Sequence, residues 1–159
     1  MARFVLMGVS GCGKTSVGEA LAELAGVSFI DGDNLHPETN IKKMASGQPL
    51  DDADRKPWLA DVGRTLGAHE GGIAVGCSAL KRIYRDWIRA EAGEVHFLHL
   101  DAPRDVLAER VADRPGHFMP ASLLDSQFAA LERLGADEAG RGIDITAVSY
   151  THLTLPTKA

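Results

Sequence analysis

The chain is poor in cysteine. Of 159 residues only Cys12 and Cys77 are cysteines, at unrelated spacing and with no accompanying histidine pattern. That excludes a disulfide framework and a cysteine-based zinc site, and leaves two reduced thiols as the expectation. No segment approaches the roughly 18 to 20 consecutive apolar residues that cross a bilayer. The first seven residues run into an apolar strand pattern with no signal-peptide architecture. The expectation is a cytoplasmic protein without a membrane partner. A basic run is missing too: 17 Lys and Arg are dispersed among 22 Asp and Glu, for a net charge of −5. Nucleic acid held by a basic stripe is therefore not expected, and an anionic ligand would need a local pocket of positive charge. No internal repeat or linker-like stretch divides the chain. With 45% apolar and 25% charged residues it has the composition of one globular domain with a single core.

Short apolar runs are present and alternate with helical patterns. Residues 3–7 read as a strand, followed by a glycine-rich segment and then Val17, Leu21 and Leu24 at helical spacing. A second run, 27–30, ends in Asp-Gly-Asp, and Pro37 stands where a helix can begin. Trp58, Leu59, Val62 and Leu66 keep helical spacing up to Gly71 and Gly72, with Pro57 tolerable only near the helix start. Residues 72–77 read as a third strand, with Ser78 placed to cap a helix that carries Leu80, Ile83 and Trp87 on one face. Residues 95–100 form a fourth strand. Helices with Val106, Leu107 and Val111, then Leu124, Phe128 and Leu131, follow, and 142–146 read as a short fifth strand. This alternation predicts an α/β fold: a three-layer α/β/α sandwich on a mostly parallel five-stranded sheet.

The glycine-rich segment after the first strand carries chemistry. Gly8, Val9, Ser10, Gly11, Cys12, Gly13, Lys14 and Thr15 spell a complete G-x-x-x-x-G-K-[ST] phosphate loop between strand and helix. Glycines let successive backbone N–H groups approach phosphate oxygens, and the helix that begins at Lys14 adds the positive end of its dipole. Lys14 would reach the β- and γ-phosphates of ATP, and Thr15 would hold Mg²⁺. GTPases, ATPases and metabolite kinases share this loop. A guanine-reading Asn-Lys-x-Asp is absent, and Asp-x-x-Gly, as in Asp113 to Gly116, occurs after the fourth strand and not near the metal. A motor-type ATPase needs a longer chain.

Ligands of open α/β sheets sit outside the carboxyl ends of the strands, which is where Asp31 and Asp33 fall. Two carboxylates spaced i, i+2 can divide labour, Asp31 toward the Mg²⁺ hydration shell and Asp33 toward an acceptor hydroxyl. The bland reading is a polar turn that caps a helix.

Residues 31–58, DGDNLHPETNIKKMASGQPLDDADRKPW, resemble the hallmark segment of gluconate kinases. Cys77-Ser78-Ala79-Leu80-Lys81, Tyr84-Arg85-Asp86 and Gly116-His117-Phe118 resemble further stretches of that family in the same order, and the likeness runs from Phe4 to about Ile145. The resemblance implies ATP-dependent phosphorylation of D-gluconate at its 6-hydroxyl, on a fold of the shikimate kinase and nucleoside-monophosphate kinase type. It also fits a homodimer. It places Asp31 near Mg²⁺, Asp33 at the sugar hydroxyl, and His36 and Arg55 in the acceptor pocket. A guanidinium suits a carboxylate as a planar bidentate partner, although spacing alone also fits a surface arginine. Ser78 and Lys81 would bind hydroxyls or carboxylate, or else serve as a helix cap and a solvated first-turn residue. Arg110, Arg114 and Gly116 to Phe118 resemble a mobile lid at about 113–120, with Arg114 as the phosphate contact and Arg110 packed against adenine or exposed. The rival readings are a shikimate-kinase-like enzyme acting on another small acid, and an inactive truncated nucleotide-binding fragment.

Residues 148–157, VSYTHLTLPT, lack helical periodicity where the architecture calls for another covering helix. They resemble one reading frame of a widely used transposase sequencing adaptor. The expectation is a kinase domain over 1–147 and a non-native tail over 148–159.

Overall fold

The computed structural model describes residues 2–9, 11–112 and 121–146. Ser10, the expected lid at 113–120 with Arg114, and the tail at 148–159 lie outside the described residues. Five strands, β1 (Arg3–Met7), β2 (Ser28–Asp31), β3 (Ile73–Gly76), β4 (His96–Asp101) and β5 (Gly140–Asp144), form one sheet in the order β2-β3-β1-β4-β5. Every pairing is parallel, so the mostly parallel expectation sharpens to wholly parallel. Six α-helices accompany the sheet among the described residues: α1 (Lys14–Ala25), α2 (Glu38–Ala45), α3 (Asp52–Ala68), α4 (Arg82–Ala92), α5 (Arg104–Ala112) and α6 (Ala121–Ala130). No described helix is long and apolar enough to cross a membrane.

The inner strands are apolar on both faces because both are covered. Val5, Met7, Ile73, Val75 and Phe97 pack against Leu59, Val62 and Leu66 of α3 and Ile88 of α4. A second cluster gathers Val9, Leu100, Leu107 of α5, Leu124 of α6 and Ile145. α3 and α4 approach closely because α3 presents glycine to its partner. A Cβ on Gly63 would lie 2.5 Å from the Ile88 carbonyl oxygen. α1 sits on β2 in the same manner, since a Cβ on Gly18 would fall 2.1 Å from the Phe29 ring.

Two helix faces differ from the periodicity reading. α4 begins at Arg82 and not at Ser78; its N-cap is Lys81, which makes no side-chain cap, and Glu132 Oε1 accepts from the Arg82 N–H at 2.9 Å. Ser78 therefore caps no helix. The buried face of α4 is Tyr84, Arg85, Ile88 and Ala92, while Ile83 is exposed. In α1 the expected core residue Leu24 is likewise exposed, and Gly18 is the buried one.

Arg85 explains the shift in α4, because a fully buried guanidinium turns that face inward. Its Nε and Nη2 donate to Glu138 at 2.7 and 3.0 Å, and Nη1 donates to the carbonyls of Ala79 and Leu80 at 2.8 and 3.3 Å. Burial alone would raise the Glu138 pKa. The hydrogen bonds from Arg85 and from the Gly135 N–H outweigh it and bring the carboxyl down to about 2.

Glu138 thus adds stability that is full above its ordinary value of 4.5 and is lost as pH falls through about 2. Denaturant unfolding of Glu138→Gln should show a loss of about 3 kcal/mol at neutral pH, with flatter acid dependence between those two values. Gly63→Ala should lower stability by about 1–3 kcal/mol through overpacking of α3 on α4, read as a fall in Tm.

Candidate active site

Three loops meet at the carboxyl ends of β1, β2 and β3. The phosphate loop turns on glycines in backbone conformations that L side chains rarely adopt: Gly13, the N-cap of α1, has φ +94°, and Gly8 has φ +148°. A Cβ on Gly8 would also lie 2.8 Å from the Leu100 carbonyl oxygen. α1 starts with no side-chain cap and no acidic residue in its first turn, so the positive end of its dipole is not neutralised locally. The Lys14 ammonium donates to the carbonyls of Gly8 and Val9 at 3.0 and 3.3 Å, folding back over its own loop. Thr15 is exposed in the first turn of α1. The Cys12 thiol is buried beneath, and burial raises its pKa against the pull of Lys14. Burial pushes Cys77 up to about 12. Neither thiol is a nucleophile at neutral pH.

β2 does not adjoin β1; β3 lies between them. Asp31 and Asp33 nonetheless reach the loop's neighbourhood, because the chain turns in a 3₁₀ turn, Gly32–Leu35, where β2 ends. Asp31 Oδ1 accepts from the Asp33 N–H at 3.0 Å and caps that turn. Gly32 is confined: a Cβ there would be 2.5 Å from the Gly76 carbonyl oxygen, and its own carbonyl accepts from Trp58 Nε1 at 2.9 Å. That bond fixes the acidic turn to α3. Asp33 is exposed at its surface, yet surrounding protein removes enough water to raise its pKa. Repulsion from Asp31 adds to this, against attraction from His36 and Lys14.

His36 stacks on Trp58 with ring centroids 4.0 Å apart, and its Nδ1 lies 3.3 Å from Nδ2 of the buried Asn40. Desolvation, with a contribution from Arg55, lowers its pKa, so the imidazole is neutral at pH 7. Asn40 also donates to the Asp54 carbonyl at 2.9 Å, and Lys43 of α2 meets the Asp54 carboxylate at 2.6 Å. Asp51 and Asp54 form a capping box at the start of α3. α2 and α3 are thereby clipped together around His36.

Beyond His36 lies a charged group. Arg55 Nη1 donates to the Tyr84 hydroxyl oxygen at 3.3 Å, and that hydroxyl donates to Asp52 Oδ1 at 2.5 Å. The Arg55 guanidinium and the Lys81 ammonium stand over the Tyr84 ring, 5.5 and 5.7 Å from its centroid, and each lies 3.8 Å from Asp52 Oδ1. Burial and the bond to Asp52 push the Tyr84 phenol up to about 12, which keeps it a neutral donor. The hydrogen bond from Tyr84, then Lys81 and Arg55, lower the Asp52 pKa.

The structure thus links these residues in series: Lys14 and Asp31 with Asp33, Asp33 with His36, His36 with Arg55, and Arg55 with Lys81 through Asp52. Ser78 sits in the loop between β3 and α4, where its carbonyl accepts from the Gly8 N–H at 3.1 Å. Arg110 lies on the other side of the sheet's end and donates to the carbonyls of Ile145 and Thr146 at 2.7 and 3.2 Å. Sequence reasoning missed Asn40, Asp52 and Tyr84 as site residues, and read Trp58 as core alone. For Asp52 and Tyr84 a signal existed, since both fall within the family-like segments, but pairing residues 32 positions apart required the fold.

The profile of the shikimate kinase family matches residues 10–134. Among curated proteins, the thermosensitive gluconokinase of Escherichia coli is 49% identical over 153 residues, covering 94% of this chain and 79% of that protein. The gluconokinase of Gluconobacter oxydans is 51% identical over 137 residues, covering 84% and 77%. Among solved structures, a gluconokinase from Sinorhizobium meliloti superposes with a TM-score of 0.85 at 47% identity, over 98% of this chain and 89% of that one. Shikimate kinase from Acinetobacter baumannii, in complex with shikimate, gives a TM-score of 0.53 at 19% identity over 81% and 75%, a likeness of fold alone. Identities of 49% and 51% to gluconokinases over most of the chain, on a fold that carries the phosphate loop and the acidic turn in place, show that it belongs to the gluconokinase family within the shikimate kinase fold group.

Proposed function

We propose that this chain transfers the γ-phosphoryl group of ATP to the 6-hydroxyl of D-gluconate, giving 6-phospho-D-gluconate. The observation that carries the reading is the order of charges along the crevice: the Lys14 ammonium, then Asp33, then neutral His36, then Arg55 and Lys81. An acceptor with a hydroxyl at one end and a carboxylate at the other matches that order. Shikimate, the acceptor of the rival reading, is also a small carboxylate. It is disfavoured because gluconokinases match this chain at 49% and 51% identity, whereas a shikimate kinase matches at 19%.

The phosphate side fits a nucleotide, since the loop backbone is held open by glycine and an uncapped helix start faces it. Gly8 to Thr15 would cradle the phosphates, and Lys14 would leave the loop carbonyls for phosphate oxygens. Thr15 and Asp31 would hold Mg²⁺, an ion that keeps several waters and phosphate oxygens and needs few protein ligands. When bound, Mg²⁺ supplies charge neutralisation on the transferred group. Asp33 orients the attacking hydroxyl and accepts its proton as the bond to phosphorus forms. Arg55 and Lys81 hold the far carboxylate, His36 closes the side of the pocket, and Ser78 offers a hydroxyl next to the phosphate loop. Arg110 holds the nucleotide side. Arg114, in a lid at about 113–120, would meet the transferred phosphoryl group and help exclude water.

ADP release measured with D-gluconate, with shikimate and without acceptor should be substantial only with gluconate; equal or faster turnover with shikimate would overturn the substrate assignment. Asp33→Asn should lower kcat by about 10²–10⁴-fold while calorimetric ATP affinity stays near wild type. Because the Asp33 pKa is raised and its ionised form is the active one, kcat/KM should climb with pH through a value higher than that of an ordinary aspartate. In Asp33→Asn that acid limb should vanish.

A further inference from the structure

Three carboxylates open α3, and two of them are occupied locally. Asp51 and Asp54 cap the helix, and Asp54 also pairs with Lys43. Asp52 turns the other way, toward Tyr84, Arg55 and Lys81. Two cations standing over one aromatic ring repel each other, and the carboxylate 3.8 Å from both offsets that repulsion. Tyr84 orders the group, with its proton directed to Asp52 and its oxygen accepting from Arg55. Two positive charges and one negative leave one net positive charge, and the adjacent His36 is neutral.

We propose that Asp52 sets this end of the pocket at one net positive charge, and so selects acceptors that end in a singly charged carboxylate over acceptors with a doubly charged end. The inference rests on the gluconate reading above. Asp52 is a specificity-determining residue that acts through Arg55 and Lys81 and does not itself touch the acceptor. Gluconate places one negative charge against the group and matches it. A dianionic end would be under-compensated and excluded by the Asp52 charge. A helix-dipole role for Asp52 would influence stability and leave acceptor preference alone.

The test compares kcat/KM for gluconate with that for its C1 phosphonate analogue, which keeps the 6-hydroxyl and carries a dianionic end in mildly alkaline buffer. In Asp52→Asn, where the amide oxygen still accepts from Tyr84, the phosphonate-to-carboxylate ratio should rise about tenfold over wild type. Asp52→Glu, which retains the charge, should keep the wild-type ratio. An Asp52→Asn ratio within about twofold of wild type would overturn the proposal, and so would an equal rise in Asp52→Glu. Wild-type protein that turns over neither acceptor would instead overturn the gluconate reading beneath it. The Asp52 side chain is half exposed, so the variants should fold, and a wild-type unfolding curve for each confirms it.

Discussion

The Arg85 guanidinium is the constraint on which the geometry of the crevice depends. It is wholly buried, so each of its donors needs a partner, and it finds them in three places at once: Glu138 ahead of β5, and the carbonyls of Ala79 and Leu80 in the loop after β3. Ala79 is the one described non-glycine residue with positive φ, at +45°. Such a backbone is disfavoured for an L residue and persists where its surroundings over-determine it. Here the buried arginine holds the carbonyl on one side, and the Gly8 N–H holds the neighbouring Ser78 carbonyl on the other. The phosphate loop and the loop after β3 are thus joined by a hydrogen bond, and Lys81 follows directly.

The acidic turn is fixed with similar economy. Gly32 admits the close approach of Gly76, its carbonyl binds the Trp58 indole, and the face of that indole supports His36. One side chain of α3 therefore fixes the Asp31–Asp33 turn and supports His36, while Arg55, one turn earlier on the same helix, reaches Tyr84 and Asp52. Catalysis of phosphoryl transfer asks mainly for positioning and charge, and side chains carried on helix starts and strand ends suit both.

Much of this was legible in the sequence. The strands were readable because a doubly covered parallel sheet demands continuous apolar runs, and the phosphate loop because its glycines and lysine are obligatory at fixed spacing. Asp31 and Asp33 were readable from their place after a strand, although nothing local showed that β3 separates them from β1. The α4 face was not legible: periodicity counts Arg85 as polar and outward, and only Glu138, 53 residues later, makes its burial affordable. The glycines Gly18 and Gly63 were silent for the same reason, since a missing side chain has meaning only against the neighbour that would collide with it. Asp52 and Tyr84 escaped because each looks like an ordinary helix residue until the two helices are packed.

The central claim is that a terminal hydroxyl is phosphorylated at the Lys14–Asp33 end while a carboxylate is held at the Arg55–Lys81 end. Phosphorus–proton coupling in the NMR spectrum of the product made from ATP and D-gluconate tests it most directly. The account predicts a phosphate ester coupled to the two protons of the C6 methylene. A phosphate coupled to a single methine proton, or no ester at all, would contradict it.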